Sequence, residues 1–318
     1  MQTQNHRVPA LEFVLVLLLG LLWGSPYALT KIALISIPPV TLVAGRVLLA
    51  AAVLWLVVGI RGQRVPMDRR FAAHVFLQGI LCCVIPYTLI TYGQQTVESS
   101  LAAILNSTIP LIVFLISLLW THHEPVTPRR LFGVFCGFGG VVLLIGLNAF
   151  FAADQHLAGQ AAIMLATICS AVSVIYGRRF AAVAPEIVAA GMLTAASIVL
   201  VPLALILESP WRIAPSMPSL AALAANAVVA TGLGFTLYFR LIRTVGSMGT
   251  ASTSYLKPAV GVLIGHVFLG EPLTWILVVG MAAVLIGVAA INMPAVNRRN
   301  RQAWSGETAL KDASNPML

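Results

Sequence analysis

Two basic side chains lie within long apolar segments of this chain, where a charge is costly and is therefore a functional candidate. Lys257 directly precedes Pro258 in the middle of one such segment, and the proline removes a helical hydrogen bond there and kinks the helix. Arg46 lies eight residues after Pro38, about 12 Å along a helix that rises 1.5 Å per residue. Either side chain could bind an anionic group deep inside an apolar environment.

Each of these two residues also has a second reading. A lysine, unlike an arginine, loses its proton readily when it is desolvated. Lys257 could therefore anchor a carboxylate, exchange a proton, or simply pair with a carbonyl or a distant acid, and we expect it to act on a substrate or in coupling. Arg46 could fix an anionic substrate group or cap the carbonyls of a broken helix, and the sequence leaves both roles open.

Polar and aromatic residues cluster beside prolines in the same apolar segments. Irregular backbone at membrane depth is tolerated only next to protein or water, so these clusters predict a cavity lining, although helix packing is the alternative for any one of them. Besides Lys257 and Arg46, the predicted substrate-binding residues are Trp23, Tyr87, Tyr92, Asn106, Tyr238, Ser254 and Tyr255.

Acidic residues are missing from the predicted midplane of the apolar segments. Glu12 lies about one turn into the first segment and Glu98 borders the fourth. Together with Lys257 they are the candidates for carrying a coupling proton.

No metal or cofactor is expected. His122, His123 and Glu124 are consecutive, and neighbouring residues on a helix point about 100° apart, which suits a shared metal ion poorly. The chain has no phosphate-binding loop of the Walker type, so we do not expect ATP to drive it directly.

The composition predicts an all-α integral membrane protein. The 318 residues are 59% hydrophobic and only 9% charged, against about 25% charged in soluble domains, and the mean hydropathy is +0.95. Long unbroken apolar runs argue against a β-barrel. Ten segments of about the 20 residues that a spanning helix needs are predicted at 10–34, 38–60, 71–93, 97–121, 129–148, 158–178, 185–207, 219–243, 248–270 and 273–294.

Most of the 19 lysine and arginine residues fall on one side of this ten-span arrangement. Cytoplasmic loops carry the positive excess, so both termini should face the cytoplasm, and the net charge of +9 needs no nucleic-acid partner. We expect a multi-pass protein of the cell (inner) membrane, as a monomer or homodimer. The polar, basic tail 297–318 should be disordered, either simply solvated or bound to anionic membrane lipid.

The chain contains an internal repeat. A shift of 147 residues places Lys31 on Arg178, and it places Glu124-Pro125 on Glu271-Pro272; a shift of 148 places Pro110 on Pro258. Five spans therefore repeat as five spans, over about 11–146 and 158–293, and an odd number inverts the second copy. Inverted repeats are typical of secondary transporters with a midplane substrate site.

These residues resemble the drug/metabolite transporter superfamily, in its ten-span branch with two EamA-type repeats. The resemblance covers about residues 11–293 and rests on Trp23-Gly24-Ser25, Arg46, Pro110, Glu124, Pro258, Gly270-Glu271-Pro272-Leu273-Thr274, Gly280 and Gly287. It implies metabolite or amino-acid efflux, commonly energised by protons. Exporters of cationic drugs in this superfamily carry a carboxylate in the first span, at the position where this chain has Trp23, which argues against a cationic substrate.

The sequence thus predicts a secondary transporter and not an enzyme. Two buried cations without a midplane acid favour a small anionic or zwitterionic solute, such as an amino acid or organic acid, exported by alternating access. The alternative is an integral-membrane enzyme acting on a lipid or prenyl substrate, for which only His122, His123 and Glu124 approach the necessary cluster. A receptor subunit would need large soluble loops, which the chain lacks.

Overall fold

The computed structural model describes residues 10–66, 68–121, 127–146, 155–244 and 253–292. These residues form helices and short connections, without a β-strand among them, which confirms the all-α membrane fold. Eight helices are long and apolar enough to cross a membrane, and two shorter apolar helices follow them. Their bounds are α1 Leu11–Ala33, α2 Pro39–Ile60, α3 Arg69–Gly93, α4 Ser99–Leu119, α5 Pro128–Ile145, α6 His156–Phe180, α7 Pro185–Leu207, α8 Met217–Leu241, α9 Thr253–Leu269 and α10 Trp275–Asn292.

Several helices are irregular near their centres. α1 is interrupted at Ser25, just before Pro26, and α4 is interrupted between Asn106 and Ile109, just before Pro110. Proline supplies no N–H for the helical ladder, so the backbone must break or distort where it occurs. α3 and α8 each contain a π-helical stretch, Ile80–Val84 and Ala225–Leu233, at positions that correspond under the internal repeat.

The helix packing repeats with an offset of five. Two pairs, α2 with α7 and α5 with α10, join a helix to its own repeat mate. The other contacts come in matched sets: α1–α9 corresponds to α6–α4, α3–α6 corresponds to α8–α1, and α2–α8 corresponds to α7–α3. Exchanging each helix for the one five places along therefore reproduces the packing. This is the relation expected of two five-helix units about a two-fold axis, and it places α1, α3, α6 and α8 around the centre.

Glycines bring the backbones of α5 and α10 into direct contact. A Cβ added to Gly133 would lie 2.8 Å from the carbonyl oxygen of Gly287, and one added to Gly287 would lie 2.6 Å from the carbonyl oxygen of Gly133. Small residues allow this close approach, which is the main source of helix association where lipid removes the hydrophobic driving force.

Large apolar side chains cover the outside of the bundle. Leu56 on α2, Phe135 on α5 and Ile198 on α7 are all well exposed, as expected for helices whose outer surface faces acyl chains. The two ends of the bundle differ in charge. We call the end that carries Arg61, Arg178, Arg179, Arg240 and Arg243 the basic end, and the opposite one the far end.

Candidate substrate cavity

A cavity of about 300 Å³ lies at the centre of the bundle, between the two repeats. It is bounded by α1, α2, α3, α4, α6, α8 and α9. The side chains that line it are Trp23, Pro26, Tyr27, Thr30, Arg46, Cys82, Tyr87, Ile90, Thr91, Gln94, Asn106, Ile109, Ser170, Ser173, Val174, Ala230, Thr231, Phe235 and Lys257. No carboxylate is among these lining residues, so both formal charges on the cavity wall are positive.

Lys257 reaches the cavity because α9 lies directly against α1. A Cβ on Gly24 would come within 2.6 Å of Val260 and 3.0 Å of the Lys257 carbonyl oxygen, so only glycine permits this approach. The Lys257 ammonium then sits 4.2 Å from the centroid of the Trp23 ring, a cation–π contact. Within the described residues the ammonium has no carboxylate partner. It can therefore form an ion pair with a carboxylate of a ligand.

Arg46 joins two helices and also faces the cavity. Its Nε donates to the Thr231 hydroxyl at 3.0 Å, and Thr231 in turn donates to the Asn226 carbonyl at 2.8 Å within the π-helical stretch of α8. Its guanidinium lies 4.2 Å from the centre of the Tyr87 ring. In the described part of the chain its two terminal nitrogens have no hydrogen-bond acceptor, so Arg46 combines a structural bond with free donors.

Two amides supply acceptors on the same wall. Asn106 donates through Nδ2 to the Tyr27 hydroxyl at 2.7 Å, and Gln94 donates through Nε2 to the Tyr27 carbonyl at 2.9 Å. Among the described residues, the amide oxygens of Asn106 and Gln94 are buried without a hydrogen-bond partner. Buried acceptors are rarely left unpaired, so these oxygens are available to an N–H or O–H donor in the cavity.

The structure brings five of the predicted binding residues together: Trp23, Arg46, Tyr87, Asn106 and Lys257 all line the cavity. It also adds lining residues that sequence reasoning missed. These are Thr30, Cys82, Thr91, Ser170 and Ser173. The signal that could have found Ser170 and Ser173 is the repeat itself, because the shift of 147 places them on Trp23 and Pro26.

Four predicted binding residues are not among the lining side chains. Tyr92 is 57% exposed on the outside of α3, since five residues after Tyr87 a helix has turned by about 140°. Tyr238 packs behind Trp23, with ring centroids 4.9 Å apart. Tyr255 packs in the apolar cluster of α4 and α9, and the Ser254 side chain lies outside the described residues.

The two acidic coupling candidates lie at opposite ends of the bundle. Glu12 is buried at the basic end, where it accepts a hydrogen bond from Thr244 at 2.9 Å and lies 3.8 Å from Arg240. Glu98 lies at the far end, where partial burial and the nearby Glu271 carboxylate raise its pKa. Neither side chain lines the cavity.

Glu271 caps a helix of the other repeat. Its carboxylate accepts from the backbone N–H groups of Ser99 at 2.7 Å and Ser100 at 2.9 Å, and also from the Ser100 hydroxyl. Burial alone would raise the pKa of Glu271, but these hydrogen bonds outweigh it and hold the pKa below its usual value. The Glu271 carboxylate thus stabilises the N-terminus of α4, although its own Glu-Pro pair directly precedes α10. His122, His123 and Glu124, its repeat mate, lie outside the described residues.

An ion cluster that sequence reasoning missed lies at the basic end. Glu186, fully buried in the first turn of α7, accepts from Arg61 at the end of α2 and from Arg243 at the end of α8. Nothing in the local sequence distinguishes Glu186, which follows Pro185, from a glutamate in the first turn of any helix, because its partners are more than 50 residues away.

Comparison with known proteins places this architecture in a family. The profile described as the EamA-like transporter family matches residues 10–146 and again 157–293. An uncharacterized inner membrane transporter of Escherichia coli K12, YedA, is 26% identical over 278 residues, covering 86% of this chain and 88% of the relative. The uncharacterized transporter YoaV of Bacillus subtilis is 20% identical over 84% of this chain and 92% of its own length. A solved crystal structure with 22% identity covers 88% of this chain and 95% of its own, with a TM-score of 0.64. The chain therefore belongs to the EamA-like transporter family of integral membrane proteins.

Proposed function

We propose that this membrane transporter exports a small anionic or zwitterionic metabolite, such as an amino acid or organic acid, through the central cavity. The observation that supports it is the charge of the wall. Lys257 and Arg46 present an ammonium and free guanidinium donors, and no carboxylate lines the cavity to neutralise them. A buried cation without a partner is costly, so a substrate carboxylate is the group that this site suits best.

The buried amide oxygens favour a zwitterion within that class. An ammonium group on the substrate would satisfy the unpaired oxygens of Asn106 and Gln94, while its carboxylate pairs with Lys257 and Arg46. The volume of about 300 Å³ is at the small end of ligand pockets, which span roughly 300–1,000 Å³. The site thus suits a metabolite the size of an amino acid.

The mechanism we propose is alternating access. Two five-helix units meet at the cavity, and rocking one against the other would expose the site to each side in turn. The Glu186 cluster at the basic end and the Glu271 cap at the far end are contacts between the repeats that such a motion would have to rearrange. Coupling to protons would run through Lys257, Glu12 or Glu98.

Counterflow in proteoliposomes tests the charge class directly. For one side chain, the amino acid, its deaminated acid and its amide present a zwitterion, an anion and a cation of nearly equal size. We expect exchange of the first two, the zwitterion best, with chemically unchanged solute recovered and with no exchange of the amide. Preferred exchange of the amide would overturn the proposal, and a chemically altered product would indicate an enzyme instead.

A further inference from the structure

A second cavity, of about 320 Å³, lies at the basic end between α3, α6 and the connection to α7. Its lining residues are Phe71, His74, Arg179, Phe180 and Val183. His74 lies eight residues, about 12 Å, before Cys82 of the central cavity on the same helix. This cleft is therefore separate from the candidate substrate site.

The polar side of this cleft is preorganised. The Arg179 guanidinium stacks 3.9 Å from the centre of the Tyr176 ring, and its Nη1 lies 3.2 Å from Nδ1 of His74. The Tyr176 hydroxyl lies 2.7 Å from the same nitrogen. Because arginine can only donate, the contact with Arg179 favours the tautomer in which Nδ1 accepts and Nε2 carries the hydrogen.

Two kinds of donor are then left for a ligand: the remaining guanidinium N–H groups of Arg179 and the Nε2–H of His74. No carboxylate lines the cleft, and Arg69, Arg70 and Arg178 lie nearby in the sequence, all exposed. Guanidinium and imidazole N–H donors around a positive pocket match the oxygens of a phosphate group.

The other walls are apolar and continue into the membrane. The rings of Phe71 and Phe180 meet edge to face at 6.1 Å. One turn deeper on the His74 side of α3, Leu77 is 42% exposed, and one turn deeper on the Tyr176 side of α6, Val172 is 37% exposed, since residues three or four apart share a helix face. The phosphate-binding lip is thus followed by an apolar track along α3 and α6.

We propose that this cleft binds one anionic phospholipid, with its phosphate on Arg179 and His74 and an acyl chain along Leu77 and Val172. A soluble phosphate would use the lip and not the track, so the continuous apolar surface selects the lipid. Basic clefts between membrane helices are suited to anionic headgroups. Since α3 and α6 both line the central cavity, a lipid bound here would hold together two of its walls.

Native mass spectrometry and thermal shift of the full chain with phosphatidylglycerol, phosphatidylcholine or inorganic phosphate test this proposal. We expect one phosphatidylglycerol to be retained and to raise the melting temperature more than the other two additions. Arg179→Gln should weaken that binding about tenfold, the usual value of a charge-assisted hydrogen bond. The matched control is Arg178→Gln, which removes the same charge one residue away and should bind normally.

His74→Gln is a second variant, exposed enough to be tolerated by the fold, and should weaken phosphatidylglycerol binding in the same direction. Equal losses in Arg178→Gln and Arg179→Gln would show a general basic surface and overturn the proposal. Equal stabilisation by inorganic phosphate and by phosphatidylglycerol would also overturn it, in favour of a soluble anion.

Discussion

The two repeats contribute equivalent positions to the central cavity but different chemistry. Under the internal repeat, several pairs of lining residues correspond, among them Trp23 and Ser170, Pro26 and Ser173, Tyr27 and Val174, and Ile109 and Lys257. The backbone framework is therefore symmetric. The Trp23 indole, the Tyr27 phenol and the Lys257 ammonium, in contrast, have no equivalent side chain at the matching position of the other repeat. In the alternating-access mechanism that we propose, the symmetric framework would let the two halves rock, and the asymmetric side chains would give the ligand a single orientation.

Elsewhere the repeats have remained alike. Gly140 and Gly287 are repeat mates on α5 and α10. A Cβ added to either would lie against a backbone carbonyl oxygen of the other helix, that of Gly280 at 2.9 Å and that of Gly133 at 2.6 Å. Glycine is present at both matched positions because the helices of both repeats need the same close packing. The comparison therefore separates residues that hold the fold from residues that we propose bind the solute.

The largest effect should come from the Lys257 and Ile109 pair. Lys257→Met removes the cavity ammonium while keeping a flexible apolar chain, and losing one partner of a buried charge pair costs about 2–5 kcal/mol. We expect substrate binding to weaken at least about 30-fold, measured by the concentration dependence of counterflow. Ile109→Met, the matched change in the other repeat, should stay within about twofold. Similar losses of binding in both variants would mean that the difference between Lys257 and Ile109 does not determine substrate binding.

The next effect concerns Arg46, whose repeat mate is the fully buried Leu193. Arg46→Met should weaken substrate binding about tenfold, since charged hydrogen bonds contribute about 1.5–3 kcal/mol. It should also lower the melting temperature, because Thr231 loses its link to α2. Leu193→Ala should lower only the melting temperature. If Arg46→Met lost transport but kept the parent's melting temperature, the structural role of Arg46 in linking α2 to α8 would be contradicted.

A smaller and equal effect is expected at the symmetric glycines. Gly140→Ala and Gly287→Ala, at repeat-matched positions, each force a methyl group against a backbone oxygen, and overpacking of this kind costs about 1–3 kcal/mol. The two variants should lower the melting temperature by similar amounts and leave substrate selectivity unchanged. A large difference between them would contradict the two-fold packing of α5 and α10.

The smallest effect is the pH dependence of the Glu271 cap. Because its pKa lies below its usual value near 4.5, the carboxylate stabilises the fold fully above that pH, and this contribution is lost as pH falls through the lowered pKa. Thermal melts at pH 7 and below pH 4.5 should differ less in Glu271→Gln than in the parent. Glu98→Gln is the control, because the pKa of Glu98 is raised and its ionised form contributes no such stability. An unchanged pH dependence in Glu271→Gln would contradict the capping role.

The helices and the internal repeat could be predicted from the sequence because both depend on local or periodic patterns of residues. Runs of apolar residues have the length of the bilayer, and matching prolines, glycines and Glu-Pro pairs recur at nearly the same spacing in both copies. Lys257 and Arg46 were identifiable as cavity residues because a charge inside such a run needs a polar surrounding.

The direction of the remaining side chains was harder to predict. Membrane helices are apolar on all sides, so nothing in the pattern fixes their rotation, and Tyr92 faces outward although Tyr87 faces the cavity. Ser170 and Ser173 look like packing serines in an apolar helix until the repeat aligns them with α1. The Glu186 cluster depends on contacts between distant helices, which no local spacing encodes.

An experimental map of the full chain with a solute identified by counterflow is the most direct test of the cationic cavity between the repeats. We expect the solute's carboxylate within hydrogen-bond reach of the Lys257 ammonium and the Arg46 guanidinium, with the two five-helix halves pointing in opposite directions across the bilayer. A solute bound elsewhere, or a Lys257 side chain that faces the acyl chains, would contradict it.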